Sequence, residues 1–151
     1  MTKDLKDLLL KDFCARLPYK VRGFAEHGVF KGIVTLRNIN IDNDSQPIAC
    51  YNNYGSLHVK VSEFKPYLFP LSSMTEEQAK EMQEIVGSPK VACIMRKTGG
   101  LELWLDSVDT DPTIWLDTIF EVQDWLNKNH FDYRGLIPKG LAKDATGLNI
   151  Y

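Results

Sequence analysis

Residues 29–41 limit the fold more than any other stretch, because their apolar positions change parity part-way along. Val34 and Leu36 stand on even positions, Ile39 and Ile41 on odd ones. Successive side chains of a strand point to opposite faces, so one flat strand cannot bury both sets. A β-bulge or bend near Arg37 and Asn38 is therefore predicted, since one extra residue restores the inward phase. The neighbouring segments are also short and apolar. They are residues 19–25, ending in a turn at Glu26, His27 and Gly28, then 47–51 after a polar loop, and the cleanly alternating 57–61. Four such strands in succession must bend to hide their edges, which predicts a small SH3-like antiparallel meander or roll.

Helical periods flank this region. Over residues 2–17, Thr2 is a natural N-cap and Leu5, Leu8, Leu9 and Phe13 recur on one face, widened by Leu10, Cys14 and Leu17; Pro18 stops the helix. Residues 64–71 are apolar but carry Pro66 and Pro70, which points to an extended strap and away from a central strand. Thr75 and Gln78 have capping-box spacing, opening a helix to Val86 that buries Ala79, Met82 and Ile85 or Val86. Residues 90–96 and 101–106 read as a hairpin closed by Gly99 and Gly100. Asp111 and Pro112 open the longest helix, reaching about Asn129. Its predicted seam is Trp115, Ile119, Val122 and Leu126, broadened by Leu116 and Phe120. The rest, from His130, is an irregular tail.

The class is α+β: an N-terminal helix, the SH3-like meander, then helix, β-hairpin and a long C-terminal helix packed on it. One domain over 1–151 is expected, with a β-rich half at 18–71, a helix-hairpin-helix half at 72–151 and a common interior. With 44% hydrophobic and 25% charged residues, the chain is ordinary globular material that needs neither metal nor cross-link to hold its core. Cys14, Cys50 and Cys93 are odd in number and widely spaced, so all three read as small buried hydrophobes, fitting a reducing cytoplasm. No signal peptide or membrane-spanning run is evident.

The net charge of -2 argues against a module devoted to phosphates. It is unevenly spread: residues 1–71 hold ten Lys and Arg against seven Asp and Glu, and 72–151 hold eight against thirteen. His27, His58 and His130 show no metal-ligand spacing, and only His58 and Cys50 are placed to meet, across neighbouring strands. Acidic pairs such as Glu76 and Glu77, or Asp109 and Asp111, fall on helix faces and caps. No nucleophile turn or phosphate-cradling glycine loop occurs, so no catalytic residue, cofactor or metal is assigned. Two features invite a partner. Trp104 on the outward face of the hairpin lies near Arg96 and Lys97, and His130, Tyr133 and Arg134 cluster after the last helix. For both the structural reading comes first: another element covering Trp104, and an Asp132–Arg134 or Tyr133 hydrogen bond tying the tail to the body.

Three phrases carry a resemblance: residues 7–19 (DLLLKDFCARLPY), 65–77 (KPYLFPLSSMTEE), and 124–127 (DWLN) with 130–137 (HFDYRGLI). Together they resemble a group of small proteins of prophages and other mobile elements of gut anaerobes, a group without an established activity. The resemblance implies an accessory protein acting inside a bacterial cell. The leading functional expectation is a non-enzymatic module that binds a protein partner or itself. The alternative is a weak nucleic-acid binder using the β-rich half, where Lys20, Arg22, Lys31, Arg37 and Lys60 outnumber local acids and Tyr51 and Tyr54 are available to stack on bases. A small hydrolase is the third reading, dependent on a pocket of perturbed carboxylates or paired histidines.

Overall fold

The structure, a computed structural model, describes residues 1–40, 48–52, 55–86, 91–95, 101–105 and 112–151, and the side chains of these except 52, 91–95, 101–105 and 112–117. The chain divides into two compact units: Met1–Leu68 with Arg134–Tyr151, and Phe69–Tyr133. The described buried apolar side chains form two clusters, each inside one unit. Among the described residues there are three α-helices, and none is long and apolar enough to cross a membrane.

In the first unit, helix α1 (Lys3–Arg16) begins where Thr2 Oγ1 accepts the Leu5 amide at 3.4 Å. Its buried residues are Leu9, Asp12, Phe13 and Arg16, spaced i, i+3, i+4 and i+7. This stripe is rotated from the leucine-centred one, and it leaves Cys14 exposed, against expectation, while Cys50 is buried. Burial pushes the Cys50 thiol up to about 12, so it behaves as an inert small hydrophobe.

Beneath α1 lies a six-stranded mixed sheet in the order β4-β3-β2-β1-β5-β8. Its strands are β1 (Arg22–His27), β2 (Phe30–Ile39), β3 (Ile48–Asn52), β4 (Gly55–Val59), β5 (Phe64–Leu68) and β8 (Lys143–Asp144). The β1–β2 hairpin turns through Gly28 and Val29, with Gly28 at φ 58, a conformation a side chain would resist. Between β2 and β3 the register shifts between Leu36 and Asn38, placing the bulge where the parity change predicts it. Leu36 stays buried before the bulge and Ile39 packs against the core beyond it. The inner face of the sheet joins Leu9 and Phe13 of α1, and Phe13 meets Phe64 edge-to-face at 5.3 Å.

Strand β5 corrects the strap expectation, for it lies between β1 and β8 despite Pro66. Gly23 pairs with Pro66 and Phe24 with Lys65. Polar groups of successive residues in an antiparallel pair face alternately toward and away from the partner. The Arg22 amide and the Tyr67 carbonyl both meet the Tyr151 hydroxyl between the two strands, so Gly23 and Pro66 occupy a pair whose polar groups turn away. The missing proline N–H therefore costs β1 nothing, and β8 pairs only with Tyr67 and Leu68.

The second unit holds α2 (Glu76–Val86), the hairpin β6 (Val91–Met95) with β7 (Leu101–Leu105), and α3 (Pro112–Lys128). The predicted capping box is present: the Thr75 amide donates to Gln78 Oε1 at 3.0 Å, and the Gln78 amide to Thr75 Oγ1 at 3.2 Å. Met82 and Val86 of α2 pack with Val122, Trp125 and Leu126 of α3, and with Leu71 and Phe131. Val122 and Leu126 of the predicted seam are buried and Trp125 joins them, whereas Ile119 and Phe120 are 41% and 62% exposed. The side chains of Trp115 and Leu116 lie outside the described residues.

Helix α3 ends in a Schellman arrangement, with the Phe131 amide bonded to the Leu126 carbonyl and the His130 amide to the Asn127 carbonyl. His130 takes the left-handed position usual for glycine, at φ 58. Its strain is offset by the hydrophobic contact typical of that motif, here Trp125 stacked on Phe131 at 5.7 Å.

Candidate nucleic-acid interface

Parity and register place the outward side chains of the sheet in the first unit. Arg22, Phe24 and Glu26 of β1 stand opposite Thr35, Ile33 and Lys31 of β2, while Gly23 and Ala25 between them are buried. Thr35 pairs in turn with Tyr51 of β3, and Tyr51 with Ser56 of β4. Lys65 of β5 lies opposite Phe24. The face therefore carries Arg22, Lys31, Lys65 and the bulge residue Arg37, with Lys143 of β8 reaching over it, against Glu26 alone among acids at the outward positions of β1–β5. Glu26 is itself ion-paired with Lys31.

Two rings on this face are held by cations. The Arg37 guanidinium lies 4.7 Å from the Tyr51 ring centroid, and Lys143 Nζ lies 4.5 Å from that of Phe24. Tyr51 is 46% exposed and Ile33 42% exposed. The bulge positions the first pair: an extra residue at Arg37 aims its side chain along the outward face instead of into the core.

The other candidates from the sequence fall differently. Lys20 and Lys60 are exposed, Lys20 at φ 53 just before β1, and both lie outside the strands that carry the face. Tyr54, Arg96 and Lys97 lie outside the described residues, and of Trp104 only the backbone, in β7, is described. His130 is buried in the second unit, at 7% exposure. Tyr133 is half-buried there, its hydroxyl donating to Asn127 Oδ1 at 3.0 Å and accepting from Gln123 Nε2 at 3.1 Å. Arg134 belongs to the first unit, with Nε 3.3 Å from the buried Asp12 Oδ1.

His58 and Cys50 do not meet: they sit on opposite faces, one exposed and one buried, with His58 paired to Ala49 and Cys50 to Leu57. His27 Nδ1 lies 2.9 Å from Glu63 Oε2. Burial raises the Glu63 carboxyl, but the Lys60 amide, the His27 contact and the charges of both residues outweigh it and hold the group below its ordinary value. Among the described residues no three His, Cys, Asp or Glu side chains stand close enough together to hold a metal ion.

A polar knot at the end of the sheet has no counterpart in the sequence reading. Asp12 and Arg16, both fully buried, form an ion pair at 2.9 Å, with Arg134 beside Asp12. The Arg22 amide donates to the Tyr151 hydroxyl at 3.1 Å, that hydroxyl reaches the Tyr67 carbonyl at 2.7 Å, and Arg22 Nη1 donates to the Ile150 carbonyl at 2.6 Å. The only signal for it was a charged i, i+4 pair within the first helix, a spacing shared by most solvent-facing pairs. The knot fixes the 134–151 segment, and with it Lys143, against the edge of the basic face. No family model, curated protein or solved structure matches the chain.

Proposed function

We propose that the protein binds nucleic acid through the outward face of the sheet in its first unit. One observation carries this reading: a sheet face on which, among the described residues, cations outnumber acids is interleaved with ring–cation pairs at Tyr51 and Phe24. Phosphate recognition depends on clustered Lys and Arg displacing counterions, and the overall charge of -2 matters less than charge on the contacting face. A role as an accessory protein of a mobile element, which the sequence resemblance implies, is compatible with such a task. The test is retention of the purified chain on immobilised nucleic acid at low salt. Binding by the parent and its loss in an Arg37→Glu, Lys65→Glu double variant is the expected result; equal retention of parent and variant rejects the face.

A second reading, a module that binds a protein or itself, draws on Ile119 and Phe120, adjacent and exposed on α3. Such a pair supports an interface only if contiguous apolar area surrounds it. Sedimentation of the parent and of Phe120→Glu discriminates: a dimer broken by the substitution favours self-association, and identical monomers oppose it.

A further inference from the structure

Resting on the nucleic-acid reading, the two ends of the face differ in what they are equipped to hold. Toward β3, Tyr51 and Ile33 are the exposed apolar surface, 46% and 42% exposed, and the flat Arg37 guanidinium lies 4.7 Å from the Tyr51 ring centroid. A planar cation against an aromatic ring makes a stacking surface that accepts an unpaired base. Toward β5 and β8 the groups are Lys65 and Lys143, and the ring there, Phe24, already has an ammonium above it. A compact ammonium serves a phosphate as a point charge and offers a base no flat surface.

We infer that the ligand is a single strand of nucleic acid lying across the sheet, with a base stacked on the Arg37–Tyr51 pair and phosphates held at Lys65 and Lys143. A duplex keeps its bases stacked internally and has no use for the Tyr51 ring. The two sites are separated by β2 and β1, and adjacent strands lie about 4.8 Å apart, so the ligand spans several nucleotides.

The experiment is a titration of the full chain with labelled oligo-dT and oligo-U about 12 nucleotides long and with a duplex of equal length, at about 50 and 200 mM salt. Single strands are expected to bind more tightly than the duplex. Tyr51→Ala is expected to weaken single-strand binding by about 5- to 100-fold with the salt dependence unchanged, and Tyr51→Phe to retain it. Lys65→Gln and Lys143→Gln are each expected to lower the slope of log affinity against log salt by about 0.7. Tyr51 is exposed, so these variants fold, as circular dichroism will verify. Duplex binding equal to or tighter than single-strand binding, or full affinity in Tyr51→Ala, overturns this inference while leaving nucleic-acid binding intact. Absence of any binding at the lower salt overturns both.

Discussion

The hydroxyl of Tyr151 stands between two strands, 2.7 Å from the Tyr67 carbonyl of β5 and 3.1 Å from the Arg22 amide of β1. The register Gly23 with Pro66 makes Arg22 and Tyr67 the next opposed pair. Their backbone groups would otherwise bond each other, and the phenol replaces that direct bond with a bridge. A side chain 84 residues from Tyr67 in sequence thereby completes the β1–β5 ladder and ties the tail to it.

Removing only that oxygen isolates the bridge. Tyr151→Phe keeps the ring but takes the hydroxyl from the Arg22 amide and from the Tyr67 and Arg22 carbonyls, which costs about 1–3 kcal/mol when water cannot replace it. Urea denaturation of parent and variant measures the difference, and a change below about 0.5 kcal/mol means water or strand closure takes over.

Alkali tests the same bond from another side. Burial pushes the Tyr151 phenol from 10.0 up to about 12, against the opposing influence of the Arg22 amide and the Arg16 and Arg22 charges. A group whose folded value is raised contributes stability that is complete below its unfolded value and is lost as pH climbs through the folded one. The parent should therefore lose stability between pH 10 and about 12 more steeply than Tyr151→Phe. Melting temperatures of both proteins across that range decide it.

How much of this was legible in the sequence depends on whether the signal was local. Thr2, Thr75 with Gln78, and the parity change around Arg37 are local, and each appears where expected. The α3 seam was displaced because a helical period shows that a stripe exists without naming the residue at its centre; Trp125 fills that place and Ile119 does not. Strand β8 spans two residues, too few for any alternation to show, and exists because β5 offers it an edge. The basic face emerged only with register, since Lys65 and Lys143 were not among the candidate contacts and join Arg37 and Tyr51 through pairings far apart in the chain. The knot was hidden for the opposite reason: Asp12 and Arg16 have the spacing of an ordinary exposed pair, and nothing nearby in sequence announces their burial.

Gly23 is set by close approach. A Cβ added there would fall on the Phe64 ring and 2.7 Å from the Lys65 carbonyl, neither of which can yield without moving the β1–β5 pair. Gly23→Ala should destabilise the first unit by about 1–3 kcal/mol, the usual cost of overpacking. Combining it with Phe64→Leu, which withdraws the ring, should recover part of the loss. Urea denaturation of single and double variants shows whether the two are coupled, and strictly additive effects contradict the contact.

The Asp12–Arg16 pair poses the sharper question of what a buried charge does for this fold. Both side chains are fully excluded from solvent on a helix whose neighbouring inward residues are Leu9 and Phe13. Their attraction has to offset the loss of hydration of two ions, so the pair adds little net stability even though either member alone is costly to leave behind. Asp12→Ala takes the carboxylate from beside Arg16 and Arg134 and should cost about 3–5 kcal/mol. Asp12→Leu with Arg16→Met removes both charges while keeping apolar volume, and should be far less damaging than the single change. Denaturation gives the energies, and the state of the tail gives the meaning. If the double variant is stable yet Tyr151→Phe no longer destabilises it, the ion pair exists to position the 134–151 segment. If the Tyr151 effect survives undiminished, the tail is held by its own bonds to Arg22 and Tyr67, and the pair serves the helix alone.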